Sequence, residues 1–358
     1  MALPSIPEYS TAIKTSALVH PVILKGGHPI KKDNRLMKYT GGFCVVFPFL
    51  TAKEKFAVRC WHAEISDMKQ RTKLISDALK DCKLPYFVRF DYFEDGIMTQ
   101  KGLQPIVVMD WIEALPLKKY ISRHLQDSTC INQLAESFKA MVRDLHQHHL
   151  SHGDLQHGNI LVRDNGDIVL VDYDSMYVPT LKGMLDEVKG LAGYQHKSRW
   201  HNKYVTEKAD YFSELVIYLS LKALVIYPFL WSQLHIEDTE TMLFTKDDIE
   251  SPRNSVTLGI LRKNDILAPL VNKLIEFIEL PTLDDLQPLE RAIVSNVDNI
   301  SNKWGRGNGY IPQPGRTEDA SEISAKWNGG NGYDRSKKIY DKSVNIVKNI
   351  SNKFKLSK

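Results

Sequence analysis

The chain has 358 residues, more than one average compact domain needs, and its 43% hydrophobic and 25% charged residues fit a globular protein while excluding neither an enzyme nor a binding module. The net charge of +4 is mild and local, because residues 334–358 alone hold eight Lys and Arg against Asp334 and Asp341. Four cysteines, Cys44, Cys60, Cys82 and Cys130, lack CxxC spacing, which argues against a zinc site or disulfide framework and for a reduced, cytoplasmic protein. No membrane span is expected, since the most apolar stretch, 215–231, contains Lys222 and is barely long enough to cross a bilayer.

In chain order, residues 1–20 read as an N-terminal extension. Residues 21–112 read as a small antiparallel-sheet lobe, with strand-like runs rich in Val, Ile and aromatics at 42–49, 55–61, 87–93 and 105–111. Between two of these runs, Ile65, Met68, Leu74, Ile75 and Leu79 predict a single packed helix over 63–79. A short polar segment near Glu113 joins a second lobe, 113–297. Its helical spacing is carried over 131–149 by Leu134, Phe138, Met141, Val142 and Leu145, and continues over 210–225 and 266–277. This is an α+β, bilobal pattern, and a cleft between such lobes suits a nucleotide.

Residues 298–358 read as a flexible basic tail. Ile300-Ser301-Asn302-Lys303-Trp304 with Gly309-Tyr310 recurs as Ile323-Ser324-Ala325-Lys326-Trp327 with Gly332-Tyr333, and a shortened copy runs from Ile350 to Phe354. Copies this small cannot bury a core of their own. Trp304, Tyr310, Trp327 and Tyr333 suit docking of a partner protein, and nucleic acid is not the expected partner.

The chemistry concentrates in His152-Gly153-Asp154, with Asn159 five positions after the Asp, and an apolar strand over 168–171 that ends at Asp172. Phosphoryl transfer needs a carboxylate to orient an acceptor hydroxyl and oxygen ligands for magnesium. Asp154 fits the first task, Asn159 and Asp172 the second. Asp164-Asn165-Gly166-Asp167 between them is a turn signal, so the flanking strands form a hairpin that brings Asn159 towards Asp172.

This ordered set resembles the protein-kinase superfamily, and most resembles its divergent bacterial Ser/Thr kinases: His152-Gly153-Asp154 stands where the family has H-R-D, and Asp172-Tyr173-Asp174 where it has D-F-G. The resemblance implies a bilobal protein-kinase-like fold, ATP and Mg2+ as cofactors, Asp154 as catalytic base, and Asn159 and Asp172 as metal ligands. It extends upstream to Gly41-Gly42-Phe43-Cys44-Val45-Val46, similar to a glycine-rich loop with Tyr39 and Cys44 at two glycine positions, and this implies nucleotide contacts at Gly41, Gly42 and Val46. Ala57-Val58-Arg59 stands where the family has A-x-K, so Arg59 would clamp phosphate in place of lysine, unless it is simply a solvated strand residue. Glu64 and Asp77 are the acidic candidates for the family's helix glutamate, and neither aligns with it.

Residues 105–113 resemble the adenine-binding strand and hinge, including Asp110 and Ile112, and Asp210-Tyr211-Phe212-Ser213 resembles D-x-W-S, whose aspartate binds the catalytic-loop backbone. An N-cap role for Asp210 is compatible with that one. Ser175, Tyr177, Thr180 and Gly193-Tyr194-Gln195-His196 resemble an activation segment without A-P-E. The expected activity is an ATP-dependent protein kinase. The alternatives are a small-molecule kinase, because H-G-D-L also resembles aminoglycoside and choline phosphotransferases, and a nucleotide-binding pseudokinase, on the strength of Arg59, Cys44 and Asp174.

Overall fold

The computed structural model describes residues 3–64 and 67–293. The tail motifs with Trp304, Tyr310, Trp327 and Tyr333 lie outside the described residues. The first segment, expected as an extension, is built into the sheet lobe. Helix α1 (Ile6–Ala12) opens with a capping box in which Ser5 and Glu8 satisfy each other's backbone N–H groups, and it buries Tyr9, Ala12 and Ile13 against the sheet.

The strands follow as β1 (His28–Pro29), the short hairpin β2 (Lys31–Lys32) and β3 (Arg35–Leu36), then β4 (Tyr39–Thr40), β5 (Cys44–Leu50) and β6 (Lys55–Trp61). After helix α2 (Met68–Asp81) come β7 (Phe90–Thr99) and β8 (Gly102–Asp110). The main sheet is antiparallel in the order β1-β5-β6-β8-β7, with β4 pairing β5, and α2 packs against β7. The side-chain period of two divides each strand between two cores. Val45, Phe47, Phe49, Phe56, Val58, Cys60, Ile106 and Val108 face α1, whereas Cys44, Trp61 and Val107 face the helical lobe. Arg59 pairs in register with Val46 and Val107 and therefore belongs to the inner face, towards the cleft.

The second lobe starts with β9 (Leu115–Pro116), α3 (Leu117–His124) and α4 (Ser128–Gln147), followed by β10 (Ile160–Val162) and β11 (Ile168–Leu170). The predicted hairpin forms at Gly166, where φ is +89°, and pairs Ile160 with Leu170. Helix α5 (Tyr211–Ile226) is buried on nearly every side, which accounts for its membrane-like composition. The short helices α6 (Leu230–Gln233), α7 (Lys246–Glu250) and α8 (Val256–Leu261) lead to α9 (Ala268–Glu279), which packs on α5. Among the described residues no helix is long and apolar enough to cross a membrane, and all four cysteines are free thiols.

One buried ion cluster ties this lobe together. His146 of α4 lies 2.7 Å from Glu214 of α5 and 3.0 Å from Glu290. Burial works against the imidazolium, but the two carboxylates, Glu214 foremost, outweigh it and raise His146 to about 9. Because this lies above the unfolded value of about 6.5, the stabilisation is complete below that pH and is lost as pH rises through 9. Urea unfolding is accordingly expected to show about 3 kcal/mol less stability at pH 10 than at pH 6 from this group alone. His146→Gln should flatten that slope, and an unchanged slope in the variant would assign the pH dependence elsewhere.

Candidate active site

The site is assembled on the two ends of the β10–β11 hairpin. Pairing of its strands places Asn159 just before β10 and Asp172 two residues beyond β11, and the Val171 N–H donates to the Asn159 carbonyl at 3.0 Å. Asn159 is turned by its own hydrogen bonds: Nδ2 donates to the Asp154 carbonyl at 2.8 Å and to Asp154 Oδ2 at 3.0 Å. Its Oδ1 is thereby left as the acceptor atom available to a cation. Asp172 is exposed and adopts φ +67°, a left-handed conformation that a non-glycine residue keeps only where its surroundings impose it.

The loop carrying Asp154 is held from below. The Asp210 carboxylate accepts the backbone N–H groups of both His152 and Gly153, the latter at 2.9 Å, and makes no side-chain cap on its own helix. Of the two roles open to Asp210, it takes the loop-binding one. His152 Nε2 lies 2.9 Å from the Val171 carbonyl, linking this loop to the strand that presents Asp172. Gly153 has φ +77°, and a Cβ there would run into the Ser175 carbonyl. Glycine at this position is thus a packing requirement. Gly153→Ala is expected to destabilise the protein by on the order of 3 kcal/mol and to displace Asp154, checked by thermal unfolding together with nucleotide binding.

Asp154 itself is largely enclosed. Burial raises the pKa of its carboxyl, opposed by the Leu191 N–H, which donates to Oδ1 at 3.0 Å, and by Asn159 at Oδ2. A carboxylate so placed is a proton acceptor with two of its lone pairs already oriented.

Above the hairpin lies a cleft of about 600 Å³. Of the positions expected to contact nucleotide, Gly41, Val46, Arg59, Asp110 and Ile112 line it together with Asp172, whereas Gly42 does not. The sheet side contributes Val46 and Ala57, the connecting segment Met109 to Ile112, and the helical side Leu161. Two further lining residues form an aromatic pair: the Tyr39 and Trp111 rings lie 5.8 Å apart, with the Lys55 ammonium 4.2 Å over the Trp111 ring. Tyr39 at a glycine position was the sequence signal for this aromatic rim.

Arg59 is not a solvated strand residue. Its side chain is 3% exposed and is paired with Asp174, and with Asp172 Oδ1 at 3.1 Å. Burial opposes its charge, yet Asp174 and Asp172 overcome that and raise its pKa, so Arg59 stays protonated. The carboxylate that holds Arg59 therefore comes from the third residue of the Asp172-Tyr173-Asp174 motif and not from α2. Glu64 is exposed, and Asp77 sits on the solvent side of α2, 3.6 Å from Lys80. The buried face of α2 instead presents Arg71, which donates to the Leu185 carbonyl.

Among the described residues no group of three or more His, Cys, Asp or Glu is placed to hold a metal ion. The oxygen set of Asn159 Oδ1 and Asp172 nevertheless suits Mg2+, which takes few protein ligands and completes its shell with water and phosphate oxygens.

A sheet lobe and a helical lobe enclosing a cleft, with the strand-end Asp172 in its lining and the Asp154–Asn159 pair on the adjoining end of the hairpin, define a protein-kinase-like fold of the α+β class. Residues 96–182, from the end of β7 through the hinge, the catalytic loop and Asp172-Tyr173-Asp174, match the ABC1 atypical kinase-like domain. No curated protein matches the chain.

Proposed function

We propose that the protein is an ATP-dependent phosphotransferase whose acceptor is a Ser or Thr hydroxyl of a protein. The observation that carries this reading is the hydrogen-bonded Asp154–Asn159 pair, tied by the Val171 N–H to the hairpin end whose Asp172 lines a nucleotide-sized cleft together with Arg59. In the proposed reaction the acceptor hydroxyl gives its proton to Asp154 while its oxygen bonds to the γ-phosphorus. The bond from that phosphorus to the β,γ-bridging oxygen breaks, and ADP leaves. Arg59 would face the polyphosphate with a fixed positive charge, and the Tyr39 and Trp111 rim would flank the base. Mg2+ bound by Asn159 and Asp172 would neutralise phosphate charge.

The pseudokinase reading is favoured by one observation: Arg59 is already engaged by two carboxylates, and the base already accepts the Leu191 N–H. The deciding experiment offers radiolabelled ATP to the protein with casein or with serinol as acceptor, and uses Asp154→Ala as control. Label on casein that the control lacks supports the protein-kinase reading, and label on serinol alone transfers the reading to a small-molecule kinase. Magnesium-dependent ATP binding with no transfer above the control leaves the pseudokinase.

A further inference from the structure

The chain from 184 to 206 is tied twice to the catalytic loop. The Leu191 N–H meets the Asp154 carboxylate, and Ser151 Oγ donates to the Thr206 carbonyl at 3.0 Å. Within these limits the segment doubles back on itself. Leu185 and Tyr204 are antiparallel bridge partners, the Asp186 N–H donates to the Lys203 carbonyl at 3.0 Å, and the Val205 N–H donates to the Met184 carbonyl at 3.0 Å. A buried two-point pair between Arg199 and Asp186, at 2.6 and 3.1 Å, locks the segment from inside, and the Lys189 ammonium donates to the Asn202 carbonyl.

This well-anchored segment nevertheless turns large apolar side chains to solvent. Trp200 and Tyr204 are each 47% exposed and Leu185 is 37% exposed. Leu185 and Tyr204 are neighbours across the bridge, and the Lys203 ammonium lies 5.3 Å over the Tyr204 ring. Lys197 and Trp200 stand three apart in the 3-10 turn Lys197–His201, where side chains so spaced eclipse, so these two exposed residues share a face. Grouped apolar side chains rimmed by charge mark a surface that meets a partner.

The partner's charge can be read from the rim. Lys197 and Lys203 are exposed and form no ion pair among the described residues. The nearby acids are engaged elsewhere: Asp186 with Arg199 and Lys189, Glu207 with His149, while the Glu187 charge bears on Arg71 of α2. Two unpaired cations beside aromatic rings complement a ligand that carries carboxylates. Reach is short as well, since the chain from Leu185 to Leu191 spans at most about 20 Å. A peptide whose hydroxyl sits at Asp154 therefore meets this surface within roughly six residues.

We propose that this surface docks an acidic segment of the acceptor protein, with carboxylates on Lys197 and Lys203 and apolar side chains on Trp200, Tyr204 and Leu185. The proposal rests on the phosphotransferase reading and adds to it the sequence character of the acceptor. The probes are serine peptides flanked on both sides by Glu, by Lys or by Gln. Initial rates with radiolabelled ATP give their KM values, and fluorescence anisotropy of dye-labelled copies gives binding without turnover. The Glu peptide is expected to have a KM about tenfold below that of the Lys peptide, a preference that fades as NaCl is raised. The double variant Lys197→Glu with Lys203→Glu should reverse the order of the two peptides, with the KM for ATP and the thermal unfolding midpoint unchanged. Trp200→Ala should raise the KM of all three peptides about fivefold.

Equal KM values for the three peptides, or a Glu preference that survives in the double variant, overturn the proposal while leaving phosphotransfer intact. Sedimentation showing a dimer that Trp200→Ala dissolves assigns the surface to a second copy of the chain and overturns it too. Tight binding of the Glu peptide, lost in the double variant and without labelling of any peptide, removes the phosphotransferase reading and supports the surface as a dock for acidic segments.

Discussion

Asp154→Asn is expected to lower phosphoryl transfer on the order of a thousandfold while ATP affinity stays within about threefold of wild type. The substitution is close to isosteric, so the Asp210 hold on the loop backbone and the Asn159 bond to the residue 154 carbonyl survive. What disappears is the second carboxylate oxygen. The wild-type group accepts from Leu191 at Oδ1 and from Asn159 at Oδ2, and an amide cannot accept at both positions. It also cannot take the proton of an attacking hydroxyl. Steady-state rates with radiolabelled ATP, set beside calorimetric ATP binding, separate the two effects. Retention of more than about a tenth of the wild-type rate would show that Asp154 is not the general base.

The second large effect is expected at Arg59. Arg59→Met removes the cation from a buried cluster and leaves Asp174 enclosed without its partner, at a cost of about 3–5 kcal/mol in unfolding free energy. Burial already raises the Asp174 carboxyl, and Arg59 is the strongest influence opposing this. The paired change Arg59→Met with Asp174→Leu should recover most of the stability, because no uncompensated buried charge remains and Asp172 is exposed to solvent. It should not recover ATP binding, since the charge proposed to face the polyphosphate is still missing. Urea unfolding and nucleotide titration of the two single variants and the double variant complete the cycle. Equal instability of Arg59→Met and the double variant would mean that the pair is not the source of the loss.

This cluster also bears on how the two lobes communicate. In the resembled family a sheet lysine is held by a glutamate on the helix, whereas here the inward face of α2 carries Arg71 and the sheet cation is held by Asp174 in the helical lobe. The carboxylate that holds Arg59 and the strand-end Asp172 thus share one short segment, and Arg71 fastens α2 to Leu185 farther along the chain. Both contacts cross between lobes, so the sheet lobe is tied at two points to the segment following Asp172.

Much of this was legible in the residues. Runs rich in Val and aromatics over 42–49 and 55–61 gave the central strands, and they read as near-continuous apolar segments because this sheet is buried on both faces. The turn at Asp164 to Asp167 gave the hairpin, since a residue at φ +89° asks for glycine. The helices over 131–149 and 210–225 fell within a few residues of α4 and α5. The start of α2 did not: apolar spacing ran from Ile65, but the helix begins at Met68, after Asp67 in a left-handed conformation that periodicity cannot register. Residues 1–20 gave no sign that Tyr9 and Ile13 complete the outer face of the sheet, because that burial is created by strands that lie later in the chain.

The sequence by itself determined the grouping of the candidate catalytic residues, because Asp154, Asn159 and Asp172 are brought together by one local hairpin and short-range chain geometry suffices to join them. Only the tertiary structure decided who holds Arg59 and which of its two compatible roles Asp210 takes. Each of these is a contact between segments distant in the chain, from different elements or across the two lobes, and the partner is selected by burial and charge in the folded protein.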